Sequence, residues 1–149
     1  MIFLGIDPGK SGAIAAVDGV GMVVGTVRLS ETPADIYRWL SRMVLLFPPF
    51  GLIEKVHSMP KQGVSSTFKF GYSAGMCEGL LVAAGVPHEF ITPAKWQGQM
   101  QCRTKGDKNV TKRAAQRLWP DEKIIHATAD ALLLAECARR TYNQRKGDK

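Results

Sequence analysis

The feature that most constrains this chain is an apolar run that closes on a carboxylate: residues 2–7 read IFLGID. A lone charge at the end of a buried strand costs several kcal/mol unless something offsets it. Period-2 alternation places Phe3, Gly5 and Asp7 on one face of that strand. Residues 50–56, FGLIEKV, repeat the pattern, with Leu52, Glu54 and Val56 sharing a face. The second strand follows a helical segment, which predicts parallel pairing with the first. Asp7 and Glu54 then converge near the C-terminal strand ends, where open α/β sheets bind ligands.

A third carboxylate, Asp130, stands in HATADALLLAECA. Leu133 and Leu134, three and four residues on, mark the apolar stripe of a helix over about 128–140, so Asp130 is expected in its first turn on the inward face. Three inward acids from separate elements repel strongly in a dry site unless a cation lies between them. Hard oxygen donors suit Mg²⁺ or Mn²⁺. Each acid alone has a plainer reading: Asp7 as a turn residue, Glu54 paired with a lysine, Asp130 favoured by the helix dipole. Their coincidence is what favours a metal site.

The letters GKS at residues 9–11 invite a phosphate-loop reading, which fails on spacing. Such a loop needs a glycine five residues before Gly9, where this chain has Leu4, and it leads into a helix rather than a second strand. Gly9 and Gly12 are expected instead to let the chain reverse beside Asp7 and to leave room for a phosphate oxygen.

Along the chain, strands are expected at 2–7, 12–18, 22–28, 50–56 and 86–92. Thr32-Pro33 caps a helix that ends before Pro48-Pro49; further helices are expected at 66–85, from Pro93, from Gly106-Asp107 to about Leu118, and at 128–140. The order is that of an α/β fold: a mixed five-stranded sheet flanked by helices, one domain over residues 1–149 with a flexible tail from about 141. Gly71, Gly75 and Gly79 lie along one side of the helix at 66–85, a side that can approach another helix closely or lie on its own sheet.

Charge is unevenly spread. Seven cations (Lys95, Arg103, Lys105, Lys108, Lys112, Arg113 and Arg117) face one acid, Asp107, between residues 95 and 117, within a chain of net charge +7. Such a stripe neutralises a phosphate backbone, or is a solvated helix face. Three cysteines without C-x-x-C spacing predict plain buried thiols in a reducing compartment, not a disulfide framework or zinc finger. No apolar run is long enough to cross a bilayer, and Met1 leads straight into a strand pattern without a signal-peptide leader.

Together these residues resemble the RuvC-type Holliday-junction resolvases of the ribonuclease H-like superfamily. GIDPGKSG is similar to the family's first strand, LIEKV to its second acidic strand, ITPAKW to the segment before the basic helix, and ADALLLA to the last helix. The resemblance, over nearly the whole chain and closest to the compact phage-like branch, implies a ribonuclease H-like fold. It also implies that Asp7, Glu54 and Asp130 are catalytic metal ligands for two divalent ions, Mg²⁺ with Mn²⁺ able to substitute. The implied reaction leaves a 5′-phosphate and a 3′-hydroxyl. Lys108 resembles a family lysine near the cut phosphate, and Lys112 and Arg113 would be backbone contacts.

Where the family usually has a fourth acid, this chain has His126 and Ala127, so His126 is a candidate ligand. His57 stands at the place of a base-stacking aromatic, and Lys95 near that of a second lysine. The implied partners are a four-way DNA junction and a second copy of the chain, with no membrane, in the cytoplasm of a bacterial or phage-infected cell. A related nuclease acting on flapped DNA or RNA keeps the same acids, and a non-catalytic junction-binding module keeps only the basic stripe. An actin-like phosphotransferase needs a second lobe for which 149 residues leave no room.

Overall fold

The computed structural model describes residues 1–9, 11–55 and 63–147. Its elements are β1 (Ile2–Asp7), β2 (Ala13–Asp18), β3 (Val23–Arg28), α1 (Pro33–Leu46), β4 (Pro49–Glu54), α2 (Val64–Ala83), β5 (His88–Ile91), α3 (Pro93–Gln99), α4 (Asn109–Leu118) and α5 (His126–Gly147). The order is as expected, and the five strands form one sheet in the sequence β3-β2-β1-β4-β5. β1 runs antiparallel to β2 and parallel to β4, which is parallel to β5. Asp7 therefore ends the central strand, and Glu54 ends its parallel neighbour.

Alternation divides the sheet residues between two cores. Phe3, Ala15, Val17, Phe50 and Leu52 face Leu132, Leu133, Ala135 and Ala138 of α5, with Trp96, Ala115 and Trp119 filling in from α3, α4 and the residue after it. Ile2, Leu4, Ile6, Ile14 and Ile53 face Ile36 and Leu40 of α1 and Cys77 and Leu81 of α2. At Gly5 the helix α5 comes so close that a Cβ would lie 2.1 Å from the Ala131 carbonyl oxygen and the Ala135 nitrogen. That approach sets the depth at which Asp130 lies.

Boundaries differ in instructive places. β4 stops at Glu54 and β5 spans only His88–Ile91, while α2 begins at Val64. The last helix begins at His126 and runs to Gly147, so Asp130 occupies its second turn, not its first, and residues 141–147, expected as a flexible tail, are helical. Tyr142 holds this end down, its ring 5.6 Å from Phe3 and 5.7 Å from Phe50, and Arg145 donates to both Glu89 carboxylate oxygens at 2.6 and 2.9 Å. A basic run reads as solvated, yet Arg145 and Lys146 also favour a helix C-terminus. All three cysteines are free and buried. No helix among the described residues is long and apolar enough to cross a membrane.

Candidate active site

One cleft of about 980 Å³ collects Asp7, Glu54, Asp130, Lys108 and His126. Asp7 comes from the end of β1, Glu54 from the end of β4, and Asp130 and His126 from successive turns of α5, while Lys108 immediately precedes α4. The facing wall is α2, which contributes Lys69, Phe70, Tyr72 and Ser73.

The Asp7 carboxylate is held by its own turn. The Gly9 amide donates to Oδ1 at 2.9 Å, and the Gly12 amide closes the turn on the Gly9 carbonyl at 2.9 Å. A Cβ at Gly12 would lie 1.9 Å from the Asp7 carbonyl oxygen. Close backbone approach is what this glycine supplies; neither it nor Gly9 adopts a left-handed conformation.

Glu54 accepts a 2.6 Å hydrogen bond from the indole Nε1 of Trp96. Asp130 Oδ1 is buried and has no hydrogen-bond partner. The nearby Thr111 hydroxyl donates to the Lys108 carbonyl at 3.1 Å.

Proton affinities reflect this crowding. Burial pushes Asp7 up to about 6 against the pull of the Gly9 amide, with the Asp130 charge adding to the rise and Lys108 opposing it. Glu54 rises to about 7, again chiefly through burial, opposed by the Trp96 bond and reinforced by the charges of Asp7 and Asp130. Burial also raises Asp130, against Thr111, Lys108 and His126.

The consequence is measurable. Both Asp7 and Glu54 bind protons more tightly folded than unfolded, so stability is gained in acid and falls as pH rises through the folded values near 6 and 7. With metal chelated, the chain is expected to lose about 2–4 kcal/mol between pH 5 and pH 8 in urea denaturation. Mg²⁺ at pH 8 should restore much of it.

These observations test whether the residues suit a divalent cation. An all-oxygen set of three acids, an unsatisfied buried oxygen on one of them and raised proton affinities on all are the state of ligands short of positive charge. They fit. As placed, no group of three or more His, Cys, Asp or Glu among the described residues already closes into a ligand set, so the acids share a cleft without meeting at a point.

Of the other expected contacts, Lys95, Arg103, Lys105, Lys112 and Arg113 do not line this cleft. Arg113 pairs with Asp107 at 3.5 Å, and the Arg103 guanidinium lies over Gly98 of α3. His57 lies outside the described residues. Three features escaped the sequence reading: Trp96 behind Glu54, Lys69 on the α2 wall, and a neighbouring cavity of about 390 Å³ with Arg28 and Lys123, which shares Glu31 with the main cleft. Lys69 alone had a visible signal, a single cation between Phe68 and Phe70 in an uncharged stretch.

No protein-family model and no curated relative matches the chain. Solved structures do. Thermus thermophilus RuvC in complex with a Holliday junction substrate aligns with a TM-score of 0.68 at 17% identity, over 99% of this chain and 96% of the other. A second T. thermophilus RuvC structure gives a TM-score of 0.64 at 19% identity, over 99% and 97%. The chain has the RuvC fold. The RuvC likeness spans both molecules almost end to end, so the sheet, the helices on both faces and α5 all belong to the shared architecture. At such identity the likeness speaks for the fold, and the chemistry rests on the residues in the cleft.

Proposed function

We propose that this chain is a metal-dependent endonuclease that resolves four-way DNA junctions by paired nicks, leaving 5′-phosphate and 3′-hydroxyl ends. The observation that carries this reading is the cleft with three half-buried carboxylates from three elements, one of them with an unsatisfied buried oxygen. Likeness of fold to a RuvC bound to a Holliday junction supports branched DNA as the substrate.

Asp7, Glu54 and Asp130, with His126 as a fourth donor, would hold Mg²⁺ or Mn²⁺. When bound, two such ions supply an activated water and stabilise the leaving oxygen of an in-line displacement. The chain's own residues prepare the ground. The Gly9 amide fixes Asp7 through Oδ1, which leaves Oδ2 outside that bond. Lys108, whose charge already acts on Asp7 and Asp130, would meet an oxygen of the scissile phosphate. Lys69 on one wall, and Arg28 and Lys123 beyond Glu31, would contact flanking phosphates. Lys95, Arg103, Lys105, Lys112 and Arg113 would touch DNA outside the cleft, and His57 remains a proposed DNA contact.

The second copy would dock on α2. Val64, Phe68 and Tyr72 of this helix are 87%, 75% and 65% exposed, and Gly71, Gly75 and Gly79 meet open space. Gly75→Glu should convert a dimer to a monomer in sedimentation velocity without loss of fold stability, because an interior helical glycine already costs about 1 kcal/mol. A monomeric native chain would contradict the paired-nick reading.

The decisive experiment is a gel with a labelled four-way junction beside flap, duplex and RNA–DNA hybrid, with Mg²⁺ or chelator. Preferential, metal-dependent nicking of the junction is expected. Preference for the flap or hybrid would reassign the substrate within the same nuclease class. Binding without any nicking would leave a non-catalytic junction-binding module.

A further inference from the structure

We propose that Trp96 is a positioning residue for the reaction: its indole N–H claims Glu54 Oε2 from behind and leaves Oε1 as the oxygen offered to a divalent ion in the cleft. The inference rests on the nuclease reading above and adds to it a residue that never touches substrate. Trp96 is fully buried within the core between α5 and the sheet, and its Nε1 stands 2.6 Å from Glu54 Oε2. Forty-two residues separate the two, so only the tertiary fold brings them together.

Indole is a donor and nothing else, which fixes the direction of the bond. A buried indole N–H needs an acceptor, and a backbone carbonyl serves as well as any: Trp119 gives its Nε1–H to the Gly21 carbonyl at 2.8 Å. Trp96 gives its own to a carboxylate that lines the cleft. A short bond to a charged acceptor is among the stronger kinds, and it restrains rotation of the carboxylate about its last torsion. With Oε2 occupied, Glu54 is set up to ligate through one oxygen rather than chelate through two. Trp96 itself is well anchored, since its backbone N–H donates to the Thr92 carbonyl at 3.1 Å and its ring packs in the core.

Partners behind a ligand characteristically govern metal affinity by 10–100-fold. The test is Mn²⁺ binding to the DNA-free protein, read from the electron paramagnetic resonance of free Mn²⁺, for the native chain and Trp96→Phe. The phenylalanine keeps an aromatic ring and removes the donor. A loss of about 10–100-fold in Mn²⁺ affinity is expected. Junction affinity in chelator should be unchanged, and raising Mn²⁺ should overcome the deficit in nicking. Equal Mn²⁺ affinity in the two proteins would overturn the inference alone. A native chain that binds no Mn²⁺ would overturn the nuclease reading, and this inference with it.

Should Trp96→Phe fail to fold, the native protein gives an independent reading. The three indole N–H signals are assigned through Trp39→Phe and Trp119→Phe. Saturating Mg²⁺ should shift the Trp96 signal while leaving those of Trp39 and Trp119 in place. A Trp96 signal unmoved by bound Mg²⁺ would overturn the proposal.

Discussion

Asp7→Asn is expected to bind a four-way junction as the native chain does and to nick it at least about 10³-fold more slowly, since even one donor aimed at transition-state charge is worth about 10²–10³ in rate. Asparagine retains an oxygen to accept the 2.9 Å bond from the Gly9 amide, so the turn beside it survives. What disappears is the negative charge at the end of the central strand. Because burial already pushes the Asp7 carboxyl up to about 6, removing its charge should also make the metal-free protein more stable at pH 8, not less. The pairing of lost cleavage with gained stability separates a ligand from a structural acid. Equal nicking by Asp7→Asn and the native chain in a single-turnover assay would sink the assignment.

Gly5→Ala should destabilise the fold by about 3 kcal/mol or more, the upper end for an overpacked core. The added methyl would lie 2.1 Å from the Ala131 oxygen and the Ala135 nitrogen, and backbone atoms of a helix cannot step aside as the end of a flexible side chain can. The relief available is a shift of all of α5 away from β1, which carries Asp130 from Asp7. Urea denaturation gives the loss of stability. In whatever fraction remains folded, Mn²⁺ affinity should fall as well. A variant of native stability would mean that α5 does not depend on this approach to seat itself.

The sheet was legible because its signals are periodic. Two apolar runs closing on acids, joined through a helix, implied parallel neighbours, and β1 and β4 pair in that way. Asp130 was legible from the leucines that follow it, although the helix starts two residues earlier than its apolar stripe. Trp96 was not, because a tryptophan at a core position looks the same whether its N–H meets a carbonyl or a carboxylate. How the basic stripe is laid out in space was not legible either. Neighbours along the chain from Lys95 to Arg113 spread over α3, α4 and the link between them, and only Lys108 comes round to the cleft. Lys69 and Arg28, isolated in sequence, reach the cleft and its neighbour from elsewhere in the fold.

Helix α2 is seated on the sheet by Cys77 and Leu81, both in its C-terminal half, whereas Lys69, Phe70 and Ser73 on the cleft side come from the other half. Among the described residues, the cleft-side half of α2 has no buried anchor of its own. A substitution at Lys69 or Ser73 should therefore alter the wall opposite the acids without removing a core contact, so the shape of the cleft can be varied separately from the stability of the fold.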